Sequence, residues 1–195
     1  MIAIVDYKAG NLTSVAAAVK KLGHPWIITS EPEQVRKADR VIFPGVGAAG
    51  TAMQTLHDLK LAEALKDVIR RGIPFLGICI GYQLLFEQSE EDNAQCLGVL
   101  GGRVVKFNPR MHGSDGRVLK IPHMGWNRAT FTRPHPVWAD LPADSEFYFV
   151  HSYFPEPEPG DQVCALTEYG VTFASGAARD NLVAFQFHPE KSGRP

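Results

Sequence analysis

Cysteine is scarce in this sequence, and no two cysteines have the spacing of a structural site. Cys79, Cys96 and Cys164 are widely separated, and no Cys-x-x-Cys occurs. This count and spacing argue against a disulfide framework and against a structural zinc site. We therefore expect a reduced, cytoplasmic protein, in which a cysteine placed in a special turn is a candidate nucleophile.

Long apolar runs and an excess of charge of one sign are also absent. No stretch approaches the roughly 20 residues that span a bilayer, and the N-terminal MIAIVDY lacks the pattern of a signal peptide. A formal net charge of -1 provides no chain-wide positive field to hold nucleic acid or an anionic membrane. The length of 195 residues suits one domain, for which we predict the bounds 1–195.

The first half of the chain alternates between short apolar strands and helices. Because each strand is apolar along its length, the pattern predicts a parallel sheet covered on both faces, which is a doubly wound α/β fold. The predicted strands are Ile2–Tyr7, Trp26–Thr29, Arg40–Phe43 and Ile73–Ile78. The predicted helices are Asn11–Leu22, Glu31–Lys37, Leu61–Arg71 and one that begins with Tyr82–Gln88.

The second half changes to strands without long helices between them. Turn residues such as Pro109 and Asp115-Gly116 separate these strands, so we expect a mixed or antiparallel extension, continuous with the first sheet. The segment Pro155–Gly160 is predicted to be a surface loop, and a helix that would cover the last strand is expected to be missing. The predicted strands are Arg103–Phe107, Asn127–Phe131, Phe147–Tyr153, Val163–Glu168 and Leu182–Phe187.

The sharpest local motif is Gly77-Ile78-Cys79-Ile80-Gly81. It follows a predicted strand and opens a predicted helix, as the Gly-x-nucleophile-x-Gly elbow does, with cysteine in place of serine. Such a turn is tight and needs its glycines, and the helix N-terminus beneath it favours the thiolate. The alternative is an ordinary buried cysteine at a glycine-rich strand end.

Two further segments supply what a cysteine nucleophile needs. His188, at the end of a late strand, is a candidate base, and Glu190 is placed to orient its other ring nitrogen. The turn Pro44-Gly45-Val46-Gly47 allows a backbone N–H to stabilise an oxyanion, with a second donor from Ile80. Taken alone, each segment also fits a surface loop or an ordinary turn. A dinucleotide site fits poorly, because no Gly-x-Gly-x-x-Gly follows the first strand.

Together these segments resemble the class I, triad-type glutamine amidotransferases. Further stretches narrow the resemblance to the glutaminase subunits of imidazole glycerol phosphate synthase, from histidine biosynthesis, and cover nearly the whole chain. These stretches are Asp6-Tyr7 with Gly10-Asn11-Leu12, Phe43–Gly47, Gly77–Gln83, Leu84–Glu91, Ile121–Asn127, Phe149–Tyr153 and Phe185–Gly193. The resemblance implies a flavodoxin-like, mostly parallel central sheet.

The resemblance also implies roles for individual residues. Cys79, His188 and Glu190 match the catalytic triad, and Gly47 and Ile80 match the oxyanion hole. The positions that match substrate contacts are Gln83, Glu91, His151, Ser152 and Tyr153. The positions that match the face turned to the partner are Pro122, His123, Met124, Trp126, Tyr148 and Lys191.

The implied reaction is hydrolysis of L-glutamine through a Cys79 thioester, without metal or organic cofactor. The implied partner is a (β/α)₈ cyclase subunit, bound as a heterodimer, which receives the ammonia and makes imidazole glycerol phosphate and aminoimidazole carboxamide ribonucleotide. Two alternatives stay open from the residues. One is a glutaminase that serves another synthase, and the other is a non-enzymatic protein that keeps the elbow as structure.

Overall fold

The centre of the protein is an eight-stranded mixed sheet. The computed structural model describes residues 1–8, 12–113 and 116–193. The strands of this sheet are β1 Ile2–Val5, β2 Trp26–Thr29, β3 Arg40–Phe43, β4 Phe75–Ile78, β9 Thr130–Phe131, β12 Val163–Glu168, β13 Thr172–Arg179 and β14 Leu182–Phe185. Five of them run parallel, in the order β2-β1-β3-β4-β14, and β13, β12 and β9 extend the sheet antiparallel beyond β14. The predicted α/β class and its antiparallel extension are confirmed.

Helices cover both faces of the parallel part. The helices are α1 Thr13–Lys21, α2 Pro32–Arg36, α3 Ala49–Asp58, α4 Leu61–Arg70 and the short α5 Ile80–Gln83. Alternate residues of β1 enter different cores, because successive side chains of a strand point to opposite faces. Ile2 and Ile4 pack with Val15 of α1, whereas Ala3 and Val5 belong to the core that contains α3 and α4. None of the described helices has the length and apolar character that crossing a membrane requires.

Two smaller sheets stand outside the main one, so the predicted continuity holds only in part. An antiparallel ribbon joins β8 His123–Arg128 to β10 Glu146–His151. A second small sheet contains β5 Gln88–Ser89, β6 Ala94–Gln95, β7 Gly102–Lys106 and β11 Tyr153–Pro157. Its strands have the order β11-β7-β5-β6. A core rich in phenylalanine packs the ribbon against the antiparallel end of the main sheet.

The predicted helices and strands differ from the observed ones in several places. The helix α3 and the strand β13 were not predicted, and the predicted strand Phe147–Tyr153 is divided between β10 and β11. The predicted loop Pro155–Gly160 begins inside β11, where Pro155 pairs with Val104 of β7. The helix after the elbow covers only Ile80–Gln83. The predicted cap Asn11 and the turn residue Asp115 lie outside the described residues.

Candidate active site

Cys79 occupies the turn between β4 and α5. Its backbone has φ 55° and ψ -112°, a conformation that costs free energy for any residue with a side chain. Its N–H donates to the Phe185 carbonyl at 2.8 Å, which ties the turn to β14. A Cβ at Gly81 would come within 1.9 Å of the Phe43 carbonyl oxygen, so the elbow closes only with glycine there. The fold therefore forces the cysteine into a strained, fixed position at the carboxyl edge of the sheet.

His188 follows β14, the strand next to the one that ends at Cys79. Its Nδ1 and the Glu190 Oε1 are 2.8 Å apart, and the Ser192 hydroxyl donates to the His188 carbonyl at 2.7 Å. The ring nitrogen left for Cys79 is Nε2, which is buried and has no conventional hydrogen bond among the described residues. The histidine is thus oriented on one side and open on the other.

The electrostatics of His188 favour a charged imidazole. Burial alone would lower its pKa, but the interactions with the nearby Cys79 sulfur and with the Glu190 carboxylate outweigh that effect and raise the pKa to about 9. An imidazolium beside the sulfur stabilises a thiolate, which is the nucleophilic form of cysteine. The arrangement therefore has the chemistry of a Cys–His–Glu triad.

A cavity of about 320 Å³ opens onto Cys79. It brings together every residue for which the sequence predicts a substrate contact. The lining residues are Val46, Gly47, Cys79, Ile80, Gln83, Glu91, Pro122, Val150, His151, Ser152 and Tyr153. A larger cavity, of about 560 Å³, lies between α4 and the N-terminal end of β14, and among the described residues no cysteine, serine or histidine lines it. In the part of the chain that the structure describes, no three His, Cys, Asp or Glu side chains are grouped as metal ligands.

The turn Pro44–Gly47 forms one wall of this cavity. Gly47 has φ +113°, which favours glycine. A Cβ at Gly45 would meet the Tyr7 hydroxyl at 1.6 Å. That hydroxyl is buried without a hydrogen-bond partner among the described residues, and burial, together with the charge of Cys79, raises the Tyr7 pKa far above its ordinary value. Glycine is thus required at position 47 by the backbone conformation and at position 45 because there is no space for a side chain.

Glu91 lines the cavity and also holds the helix behind the turn. Its carboxylate accepts the N–H of Ala49 at 2.9 Å, at the N-terminus of α3. The helix has no side-chain cap of its own, so Glu91 provides one from 42 residues away. Burial raises the Glu91 pKa, against the lowering effect of that hydrogen bond. The resemblance predicts Glu91 only as a substrate contact, and this structural role is additional.

Gln83 and Gln186 form a buried amide pair beside the nucleophile. The Gln83 Nε2 donates to the Tyr153 carbonyl and to the Gln186 Oε1, both at 2.9 Å. The Gln186 Nε2 lies 3.8 Å from the Cys79 Sγ. Gln186 was not among the predicted site residues, although it lies two residues before His188, in the segment that carries the resemblance. The sequence signal for Gln186 was a polar side chain at the end of an otherwise apolar strand.

Two buried histidines continue this network away from Cys79. The His151 Nδ1 must donate to the Tyr153 carbonyl, 2.8 Å away, so its Nε2 accepts from the His123 Nδ1 at 2.9 Å. The His123 Nε2 then accepts from the Asn127 amide at 3.2 Å. Burial lowers the pKa of His123 to about 4 and that of His151 to about 3, with the neighbouring His123 adding to the second shift. Both rings are therefore neutral, with their protons on Nδ1.

The outer face of the β8–β10 ribbon carries three of the six residues predicted to face a partner, namely Met124, Trp126 and Tyr148. Met124 is 61% exposed and Trp126 is 55% exposed, and Trp126 pairs with Tyr148 across the ribbon. Pro122 and Lys191 are also exposed. His123 differs from the prediction, because strand alternation turns it inward, where it stacks between Phe149 and Tyr169. It does not reach this surface.

Comparison with known proteins gives the family. The family model described as glutamine amidotransferase class-I matches residues 3–195. The imidazole glycerol phosphate synthase subunit HisH of Desulfovibrio desulfuricans is 51% identical over 195 residues, which cover 100% of this chain and 89% of that protein. HisH of Aromatoleum aromaticum is 48% identical over 196 residues, covering 99% and 92%.

Solved structures agree on the fold. A crystal structure of a glutamine amidotransferase superimposes with a TM-score of 0.72 at 18% identity, over 97% of this chain and 91% of that one. The glutaminase domain of Trypanosoma brucei CTPS, with bound acivicin, superimposes with a TM-score of 0.65 at 17% identity, over 97% and 85%. The chain belongs to the class-I glutamine amidotransferase family and, within it, to the branch of the HisH subunits.

Proposed function

We propose that this chain is the glutaminase subunit of imidazole glycerol phosphate synthase. It hydrolyses L-glutamine to glutamate and ammonia and passes the ammonia to a (β/α)₈ cyclase subunit. The observation that carries the proposal is the arrangement of His188 and Glu190 behind Cys79, which lines the cavity, in a chain about half identical to HisH subunits over its full length. Its proposed compartment is the cytoplasm, where its three unpaired cysteines stay reduced.

The chemistry follows from the protonation states. The Cys79 thiolate attacks the carboxamide carbon of glutamine, and the carbonyl π pair moves to oxygen. When the tetrahedral intermediate collapses, the C–N bond breaks and the departing nitrogen takes the proton from the His188 imidazolium. His188, now neutral, removes a proton from water, which attacks the thioester. Glutamate leaves, and Cys79 and His188 return to their starting charges.

The proposed oxyanion donors are the backbone N–H groups of Ile80 and of the turn that contains Gly47. Each such donor contributes about a hundredfold to a thousandfold in rate. The side chains of Gln83 and Glu91 and the backbone of His151–Tyr153 are proposed to hold the substrate. Both hydrogens of the Gln83 Nε2 are already used, so its carbonyl oxygen is the group that remains for a ligand.

The proposed docking surface for the cyclase is the outer face of the β8–β10 ribbon with its neighbour Lys191. Met124 and Trp126 expose apolar area there, next to Tyr148. Aromatic residues and methionine are enriched at the cores of protein interfaces. The surface adjoins the cavity, because Pro122, which precedes β8, also lines it. Ammonia released at Cys79 then has a short path to the partner, where it completes the synthesis of the imidazole ring.

The reconstituted complex tests the proposal. Cys79→Ser should abolish synthesis of imidazole glycerol phosphate from glutamine, while synthesis from free ammonium survives, because ammonia bypasses this subunit. Cys96→Ser is the matched control and should keep both activities, because Cys96 lies outside the cavity. If the purified chain fails to release glutamate from glutamine in the presence of a cyclase subunit and its ligand, the proposal is wrong.

A further inference from the structure

Gln186 is a buried polar side chain whose contacts lead to the nucleophile. It directly follows β14, two residues before His188, and is fully buried. Its backbone N–H is satisfied by the Ser175 carbonyl at 2.9 Å, so the backbone does not need its amide. The side chain instead places its Nε2 at 3.8 Å from the Cys79 Sγ, within reach of a hydrogen bond to sulfur.

The neighbouring Gln83 determines which end of the Gln186 amide faces the sulfur. The Gln83 Nε2 donates to the Tyr153 carbonyl, and that contact fixes the orientation of the Gln83 amide. The same nitrogen donates to the Gln186 Oε1. Because Oε1 is engaged as an acceptor, the Nε2 of Gln186 must point to Cys79. A flipped Gln186 would place two donors together and leave a buried oxygen against the sulfur, which costs free energy on both sides.

The orientation of Gln83 has support of its own. The Tyr153 carbonyl accepts a second hydrogen bond, from the His151 Nδ1 at 2.8 Å. His151 in turn is held by His123, and His123 is held by Asn127, with each ring nitrogen paired. Only one assignment of donors and acceptors satisfies every polar group in this chain of contacts, from the β8–β10 ribbon to the sulfur. Such a network is rigid, and it keeps the Gln186 donor in place without a charge.

We propose that Gln186 is a further catalytic residue, which donates an N–H to the Cys79 thiolate and favours the ionised nucleophile. A hydrogen bond strengthens when its acceptor is charged, so this donor stabilises the thiolate more than the thiol. His188 and Gln186 then hold the sulfur from two directions. His188 supplies a proton for the leaving ammonia, whereas Gln186 stays in place throughout the reaction. The inference rests on the proposed function, because it concerns the nucleophile of that reaction.

Alkylation of Cys79 by iodoacetamide measures thiolate directly and requires no glutamine. Reaction at the Cys79 peptide is followed by mass spectrometry from pH 5 to 9. The other cysteines stay largely protonated there, because burial raises the pKa of Cys96 to about 11 and that of Cys164 to about 12. Gln186→Met should move the alkylation profile to higher pH and slow the reaction at pH 7 by about tenfold. Gln162→Met, the same change in an amide that bonds Gly101 instead, should have no effect.

A second measurement needs no variant of Gln186. In the wild-type chain, the side-chain amide protons of Gln186 should shift in NMR spectra with the same pH midpoint as the alkylation of Cys79. In Cys79→Ala they should show no such step. Both results together support the proposal even if Gln186→Met does not fold. The proposal is overturned if the Gln186 amide protons do not respond to the ionisation of Cys79. It is also overturned if a folded Gln186→Met keeps the wild-type alkylation profile. A chain that passes both measurements but hydrolyses no glutamine refutes the proposed function alone.

Discussion

Acidification should destabilise this protein through the two histidines that the fold keeps neutral. An unfolded histidine has a pKa of about 6.5, whereas burial lowers the pKa of His123 to about 4 and that of His151 to about 3. Below pH 6.5, therefore, both histidines become protonated in the unfolded state but stay neutral in the folded state. The destabilisation is absent above that pH and grows as the pH falls toward the two folded values.

The size of the effect follows from the same values. At pH 5, each histidine is about 1.5 pH units below its unfolded pKa, and one unit corresponds to about 1.36 kcal/mol. Each ring thus costs about 2 kcal/mol, and the pair about 4 kcal/mol, out of a total stability of about 5–15 kcal/mol for a typical domain. His188 has the opposite sign, because its pKa is raised to about 9. Its stabilisation is lost as the pH rises from 6.5 through 9 and is nearly constant below 6.5, so His188 contributes little to the change between pH 6.5 and 5.

Two measurements check this. Titration of ¹⁵N-labelled histidine by NMR should show both rings neutral at pH 5.5, each with its proton on Nδ1. Urea unfolding should lose about 3 kcal/mol between pH 6.5 and 5 beyond the loss in a His123→Gln, His151→Gln double variant, because the unfolded rings are already half protonated at pH 6.5. The exposed His24, changed to Gln, should leave the wild-type profile unchanged. If either buried ring titrates above pH 6, or the double variant has the wild-type pH dependence, the reasoning about the pair is wrong.

Three other expectations follow from the elbow and its surroundings. Gly81→Ala should destabilise the chain by about 3 kcal/mol or more in urea unfolding, since its methyl collides with the Phe43 carbonyl; Gly160→Ala, which meets no atom within 4 Å, is the control, and equal losses would contradict the steric argument. Tyr7→Phe should raise stability by about 1 kcal/mol, because it removes a buried hydroxyl without a partner among the described residues; a drop in the midpoint would mean that the hydroxyl is bonded. Glutamine hydrolysis by the isolated subunit should be about a hundredfold to a thousandfold slower than with the cyclase and its ligand, if the Pro44–Gly47 turn completes the oxyanion hole only on docking; a subunit that is fully active alone would exclude such gating.

The parts of this protein that sequence predicts well are those where one residue type is physically required. The elbow is predictable because its glycines have no substitute, as the contact between Gly81 and Phe43 demonstrates. Most of the first four parallel strands are predictable because burial makes them short apolar runs, although β2, at the edge of the sheet, is only partly buried. Three of them, β1, β2 and β3, begin at the predicted residue.

The parts that were missed depend on contacts between distant segments. The strand β13 is made largely of small residues, Ala174 to Ala178, and is a strand because β12 and β14 flank it. The helix α3 begins without a capping residue of its own, because Glu91 caps it from elsewhere. The inward turn of His123 depends on its register with β10, and Gln186 acquires its role from Cys79, 107 residues away. Local sequence contains none of these relationships.

The position of β14 has a consequence for the order of events during synthesis. This late strand does not lie at an edge of the sheet but between β4 and β13. Until it has left the ribosome and inserted, the elbow lacks the Phe185 carbonyl that fixes the Cys79 N–H, and His188 is not yet in place. A nascent chain therefore displays its nucleophile without a base, so glutamine cannot be hydrolysed by a growing chain. Closure of a sheet by so distant a strand is also slow, so the nucleophile meets its base only late in folding.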